Sequence, residues 1–192
     1  MKLPPLILAS ASPRRAELLR ECGFEFSVLT TATEELAPEH LTPQELCQLN
    51  AHRKARAVAK KVPDALVLAA DTLVFLGDEI FGKPASKSMA LEMILRLQGR
   101  THQVVTGVTL LHLRSHREGL FAVSTDVRFR PLNESQALAY LEKMNPLDKA
   151  GAYAIQEHGE MIVEEIAGSY TNVVGLPIER LQAEIQTWEQ RG

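Results

Sequence analysis

Residues 65–75 read ALVLAADTLVF. A near-continuous apolar run of this length reads as a strand buried on both faces, the kind found inside α/β sheets. One residue breaks it: Asp71. A buried carboxylate without a partner costs several kcal/mol, so Asp71 needs a cation, a metal ion or a proton. Carboxylates at the ends of buried strands are frequent metal ligands and general bases. The plain alternative is an Asp that ends the strand and caps a turn. Strand-like residues continue after it through Phe75, which argues against that alternative.

Working outward, "ILASASPRRAELLR" at 7–20 is an apolar run handing over to an amphipathic segment. It predicts a strand over Leu6–Ala9 and a helix from about Pro13 to Glu21, stopped near Gly23. Phe24–Leu29 follows as a second strand. Thr42-Pro43-Gln44-Glu45 is a helix start, with Thr as cap, Pro at the first helical position and Glu three residues after the cap. That helix continues through "QELCQLNAHRKARAVAKK". Beyond the central strand, Gly77-Asp78 and Gly82-Lys83-Pro84 mark turns, and "SKSMALEMILRLQ" is a helix closed by Gly99. "HQVVTGVTLLHL" and "LFAVSTDVRFR" read as two long strands joined by a polar loop at Ser115–Gly119. "NESQALAYLEKM" is a helix capped by Asn133. "AYAI", "MIVEEI" and "YTNVVGL" predict short strands, and a last helix starts near Pro177. Helices and strands alternate with both crossover and hairpin connections. The fold class is therefore mixed α/β (α+β) around a mixed sheet, as one domain over residues 1–192.

Composition narrows the function. The 192 residues are 45% hydrophobic and 23% charged, with a formal net charge of -3. No global basic field exists to grip a nucleic-acid backbone, so any anion site is local. The few aromatics are not interleaved with basic residues, which removes a stacking platform for single strands. Cys22 and Cys47 are solitary and lack zinc-ligand spacing, which suits a reducing compartment. Neither a signal peptide nor a membrane span is expected, so the chain reads as soluble and cytoplasmic. GxxxxGK[ST], HExxH and GxSxG are all absent.

The chemistry concentrates at a few places. With Ser12 as cap and Pro13 at the first position, Arg14 and Arg15 fall in the first helical turn, where the dipole disfavours cations. The free N–H groups at that end attract anions, and two guanidinium groups reinforce them with forked donors, which points to a bound phosphate. The alternative is that both arginines face solvent. Glu34-Glu35 lies in an irregular stretch; alone, such a pair is usually surface. Arg53, Lys54, Arg56, Lys60 and Lys61 share one helix and read mostly as a solvated face. Lys83 sits in a turn from which a lysine can reach a neighbouring strand end. In "LDKAGAYAIQ", Gln156 offers a donor and an acceptor, enough to read one face of a nucleobase, although a tight turn into a strand is the plainer reading. Ser169-Tyr170-Thr171 reads as surface, and His112 and His116 as solvated residues flanking a hairpin loop.

Taken together and in order, "LASASPRR", "EE", "HRKARAVA", "AADTLV", "GKP", "LQGRTHQVVTGV", "DKAGAYAIQ" and "GSYTNVVGLP" resemble the Maf family of nucleoside-triphosphate pyrophosphatases nearly end to end. The resemblance implies an elongated mixed-sheet fold related to the inosine-triphosphate pyrophosphatases, with a central cleft between two lobes, often as a homodimer. It implies hydrolysis of a nucleoside triphosphate to the monophosphate and pyrophosphate with a divalent metal, Mg²⁺ or Mn²⁺. Residue by residue, Asp71 matches the family's proton acceptor and a metal ligand. Ser12, Arg14 and Arg15 match its phosphate-binding loop, and Glu35, Lys54 and Lys83 its cleft charges, Glu35 as a further metal ligand. Arg14, Thr72 and Gln156 match positions linked to a preference for dTTP and UTP. Glu157 and Glu160 depart from the pattern, standing where a glycine and a small residue are common, and bring extra negative charge. The alternatives are a branch acting on 7-methyl-GTP or another modified nucleotide, and a regulator of division that binds a nucleotide or short nucleic acid without turnover.

Overall fold

In the computed structural model, which describes residues 3–36, 38 and 40–190, the apolar run around Asp71 forms the long central strand β3, Leu66–Leu76. Before it come β1 (Leu6–Leu8), α1 (Pro13–Glu21), β2 (Phe26–Val28) and α2 (Pro43–Ala59). After it come β4 (Glu79–Phe81), α3 (Lys87–Leu97), β5 (Thr101–His112), β6 (Arg117–Phe129), α4 (Glu134–Leu141), β7 (Val163–Ala167), α5 (Tyr170–Val174) and α6 (Ile178–Gln190). The strands form one mixed sheet in the order β2-β1-β3-β5-β6-β7, with β4 folded back on β3. β1 runs parallel to both β2 and β3, whereas β3–β4 and β6–β7 are antiparallel. The mixed α/β class expected from the sequence is the class observed.

Contacts divide the chain into two compact units. The first comprises Met1–Asp71, Thr106–Val123 and Gly175–Gly192, the second Thr72–Val105 and Ser124–Val174. In the first, Ala9, Ala55, Val58, Ala59, Val67, Ala69 and Leu111 form a core of mostly small residues between α2 and the sheet. Small residues permit close approach, and Gly107 on β5 shows how close. A Cβ there would lie 2.3 Å from the backbone carbon of Cys47 on α2. Only glycine fits, so strand and helix backbones touch and the direction of α2 is fixed. The second unit has a bulkier core that includes Phe81, Ile94, Leu97, Val104, Val127, Phe129, Tyr140, Tyr153 and Ile162.

Helix starts follow the capping chemistry. At Thr42 and Asn133 both halves of the capping box form, and Ser86 accepts from the Met89 N–H. Gly23 and Gly99 take positive φ just past α1 and α3, as helix-ending glycines do. The 115–119 loop is shorter than expected: the turn between β5 and β6 occupies 113–116, with His116 left-handed at φ 50°. The two-residue Gly77-Asp78 turn closes a hairpin whose second strand, β4, has too little alternation to be expected.

Two expected strands are not strands. "AYAI" begins inside a 3-10 turn at Ala150–Ala152, where Gly151 and Ala152 are both left-handed, and an extended ladder cannot pass through them. "YTNVVGL" contains the helix α5. Its β-branched residues favour a strand, but the Ser169 hydroxyl accepts the Asn172 N–H and starts a helical turn. The Asn172 side chain then donates to the Val104 carbonyl and to Thr125 Oγ1, anchoring that turn in the core. Tertiary hydrogen bonds override local propensity here.

Candidate active site

Ser12 occupies the cap position of α1, but its hydroxyl makes no capping hydrogen bond, and the first turn holds no acidic residue. The Ser12 N–H donates instead to Ser10 Oγ at 3.2 Å. Unlike α2 and α4, this helix presents its positive end without a side-chain cap, with Arg14 in its first turn. Arg15 does not face solvent. Its Nε donates to the Gly175 carbonyl at 2.8 Å, and its Nη1 to Ser10 Oγ at 3.1 Å and the Ala70 carbonyl at 2.8 Å. The guanidinium thus ties the loop after β1 to the residue preceding Asp71. Burial holds its pKa below the ordinary value; Asp71 and then Glu35 oppose that shift, and Arg14 adds to it. An arginine stays charged regardless, so the interior here carries a fixed positive group.

Asp71 is buried on β3, its side chain 5% exposed, and its partner is Lys54. Lys54 Nζ lies 2.5 Å from Asp71 Oδ1 and 2.7 Å from Glu35 Oε1, so one ammonium bridges two carboxylates. Lys54 therefore departs from the solvated face predicted for its helix, on which Arg56, Lys60 and Lys61 are exposed. The second Asp71 oxygen, Oδ2, is buried with no hydrogen-bond partner among the described residues. A buried acceptor left bare costs about 1–3 kcal/mol, so an oxygen in that state suits one that receives a water, a proton or a cation. The first unit alone brings together Arg15, Glu35, Lys54 and Asp71.

The profile of Maf-like proteins matches residues 5–188, nearly the whole chain. The chain belongs to the Maf-like family. It is 50% identical over 184 residues to a dTTP/UTP pyrophosphatase of Exiguobacterium sibiricum, covering 96% of this chain and 92% of that protein. A dTTP/UTP pyrophosphatase of Akkermansia muciniphila is 47% identical over 176 residues, 92% of each chain. Among solved structures, the Staphylococcus aureus Ham1 protein aligns with a TM-score of 0.57 at 16% identity, covering 95% of this chain and 98% of that one. At that identity the likeness concerns the fold.

The other residues predicted for a site in this Maf-like chain, Thr72, Lys83 and Gln156, belong to its second unit. Thr72 follows Asp71 on β3 and is half-buried. Lys83 is exposed in an irregular segment, next to Gly82, whose carbonyl accepts the Gly151 N–H. Gln156 is exposed on a turn, so the strand expected around it is replaced by that turn. Lys149, which the sequence did not single out for a role, is 5% exposed and holds this region together. Its ammonium donates to the Asn145 carbonyl at 2.8 Å and to Asp148 at 2.9 Å, and lies 3.3 Å from Glu157. The extra charge of Glu157 is thereby matched inside its own turn. Glu160 is mostly exposed, 3.6 Å from His158.

Could these residues hold a divalent cation? Among the described residues, no group of three or more His, Cys, Asp or Glu is placed to bind one alone. Mg²⁺, however, is commonly held by one or two carboxylates together with substrate phosphates. Two carboxylates sharing one ammonium, with a bare Asp71 oxygen, fit that pattern.

Proposed function

We propose that this chain hydrolyses nucleoside triphosphates, dTTP and UTP in particular, to the monophosphate and pyrophosphate. The observation that carries the reading is Asp71: a buried carboxylate with one oxygen bound to Lys54 and the other bare. A protein that only bound the nucleotide would need the cations but has little use for that acid. The names of the curated relatives support the substrate class.

In this mechanism Asp71 Oδ2 accepts a proton from the water that attacks the α-phosphorus. The new bond joins the water oxygen to that phosphorus. The bond to the bridging oxygen of the β-phosphate breaks, and its electron pair leaves with pyrophosphate. The substrate carries about four negative charges, so charge neutralisation dominates the barrier. Arg14, the uncapped end of α1 and Ser12 bind phosphate oxygens. Arg15 keeps that loop against Ala70, and Lys54 holds the two carboxylates in place. Lys83 is assigned to phosphate contact, and Arg14, Thr72 and Gln156 to base preference, on the family resemblance. Glu35 and Asp71 would hold a divalent cation, which supplies neutralisation of the phosphate charge when bound. The same resemblance implies a homodimer, checked by the mass of the protein in solution. Among the described residues no helix is long and apolar enough to cross a membrane.

The test is product identification across ordinary and modified triphosphates, with and without Mg²⁺. Equal amounts of monophosphate and pyrophosphate, fastest from dTTP and UTP, are expected. Release of orthophosphate, or triphosphates bound but unchanged, would reject the proposal.

A further inference from the structure

Glu35 sits in a segment, 29–36, that has neither helix nor strand, and its side chain is 45% exposed. An exposed contact with a lysine is too weak to fix such a chain on its own. The residue beside Glu35, Leu36, is held by Asn50, 2% exposed on the buried face of α2. Its Oδ1 accepts the Leu36 N–H at 2.9 Å, and its Nδ2 donates to the Leu36 carbonyl at 3.0 Å. Both backbone groups of one residue are thus satisfied by one side chain, as a neighbouring strand would satisfy them. Only an amide supplies a donor and an acceptor side by side at this reach; aspartate would merely accept, and leucine would do neither.

One helical turn further along α2, at i+4, is Lys54, which shares this face and binds Glu35 and Asp71. We infer that Asn50 is a positioning residue for the reaction: by clasping Leu36 it delivers the Glu35 carboxylate to Lys54 and Asp71. The inference rests on the proposed pyrophosphatase reading of that carboxylate pair. Asn50 touches no reacting atom and acts through Glu35.

Two measurements test it, one of them on the metal-free protein. In Asn50→Ala, hydrogen exchange at the Leu36 amide should accelerate about tenfold or more, while the amide of Ala55 in α2 stays protected. Unchanged exchange at Leu36 would overturn the clasp. In turnover of dTTP, Asn50→Ala should raise the half-saturating Mg²⁺ concentration about tenfold, Glu35→Gln should raise it at least as far, and the double variant should be no worse than Glu35→Gln alone. Additive effects would overturn the inference, because Asn50 would then act independently of Glu35. If Glu35→Gln leaves Mg²⁺ dependence and turnover untouched, the carboxylate-pair reading fails instead, and the exchange result alone judges the clasp. Should Asn50→Ala not fold, Asn50→Ser keeps a polar group on this face but is too short to hold both Leu36 backbone groups and should shift both readouts in the same directions; no shift in either would overturn the inference.

Discussion

Replacing Lys54 with methionine should destabilise the protein far more than loss of a surface ion pair. Asp71 is 5% exposed, one of its oxygens is held by Lys54, and the other has no hydrogen-bond partner among the described residues. Removing the ammonium leaves a carboxylate in the interior that the charge of Arg15 only partly offsets. Breaking a buried pair in this way typically costs about 3–5 kcal/mol. Lys54 is itself 19% exposed, and its second partner, Glu35, is 45% exposed and adds at most about 1 kcal/mol, so about 3 kcal/mol is expected. With a urea slope of about 2 kcal/mol per molar, the midpoint should fall by roughly 1.5 M. The sole tryptophan reports the transition: Trp188 on α6 is 8% exposed, with the Arg117 guanidinium 4.5 Å from its ring, in the same unit as the ion pair. The variant Lys54→Met with Asp71→Asn removes the stranded charge and should recover at least half of the loss. A Lys54→Met loss below about 1 kcal/mol would refute the reasoning, as would a double variant no more stable than the single one.

Three outcomes concern other parts of the molecule. His102 is buried against Phe129 and Tyr153, with Nε2 at 2.9 Å from the Tyr153 hydroxyl, and burial pushes its pKa down from 6.5 to about 4. Below about pH 6.5 the unfolded chain takes a proton that the folded chain refuses, so stability is lost as pH falls toward 4, by about 3 kcal/mol in total. Urea melts followed by circular dichroism should show that loss, and His102→Leu should flatten it; identical pH slopes in the two proteins would exclude His102 as the cause. Gln156→Ala should alter the ratio of kcat/KM between dTTP or UTP and purine triphosphates by about 10- to 100-fold, the scale of an unpaired hydrogen-bonding group, and an unchanged ratio removes Gln156 from base reading. Hydrolysis in ¹⁸O-labelled water should place the label in the monophosphate; label in pyrophosphate would mean attack at another phosphorus.

Much of the scaffold was legible because local chemistry and tertiary structure agree. Thr42 and Glu45 form the box that their spacing announces, and the lone acid in an apolar strand is buried against a cation. Sequence reasoning failed where distant partners decide conformation. The "YTNVV" run carries strand-forming residues, yet Asn172 reaches Val104 and Thr125, more than forty residues away in sequence, and makes it a helix. Residue pattern alone did not separate Lys54 from its solvated neighbours, since every cation on α2 looks alike until its direction is known; only the family resemblance singled it out. Asn50 did leave a trace: it falls among Leu46, Cys47, Ala51, Ala55 and Val58, the buried face of α2, where an unexplained amide signals a specific partner. Lys149 left less, because its partners Asn145 and Glu157 meet only through left-handed Gly151 and Ala152 and the turn that follows.

The central claim is that Asp71 takes the proton from the attacking water. Turnover of dTTP by Asp71→Asn, with dTTP affinity measured in the same Mg²⁺ buffer, tests it most directly. A fall in kcat of about 10²-fold or more is expected, with dTTP affinity falling by less than kcat does. Wild-type turnover in that variant, or lost affinity with kcat intact, would contradict it.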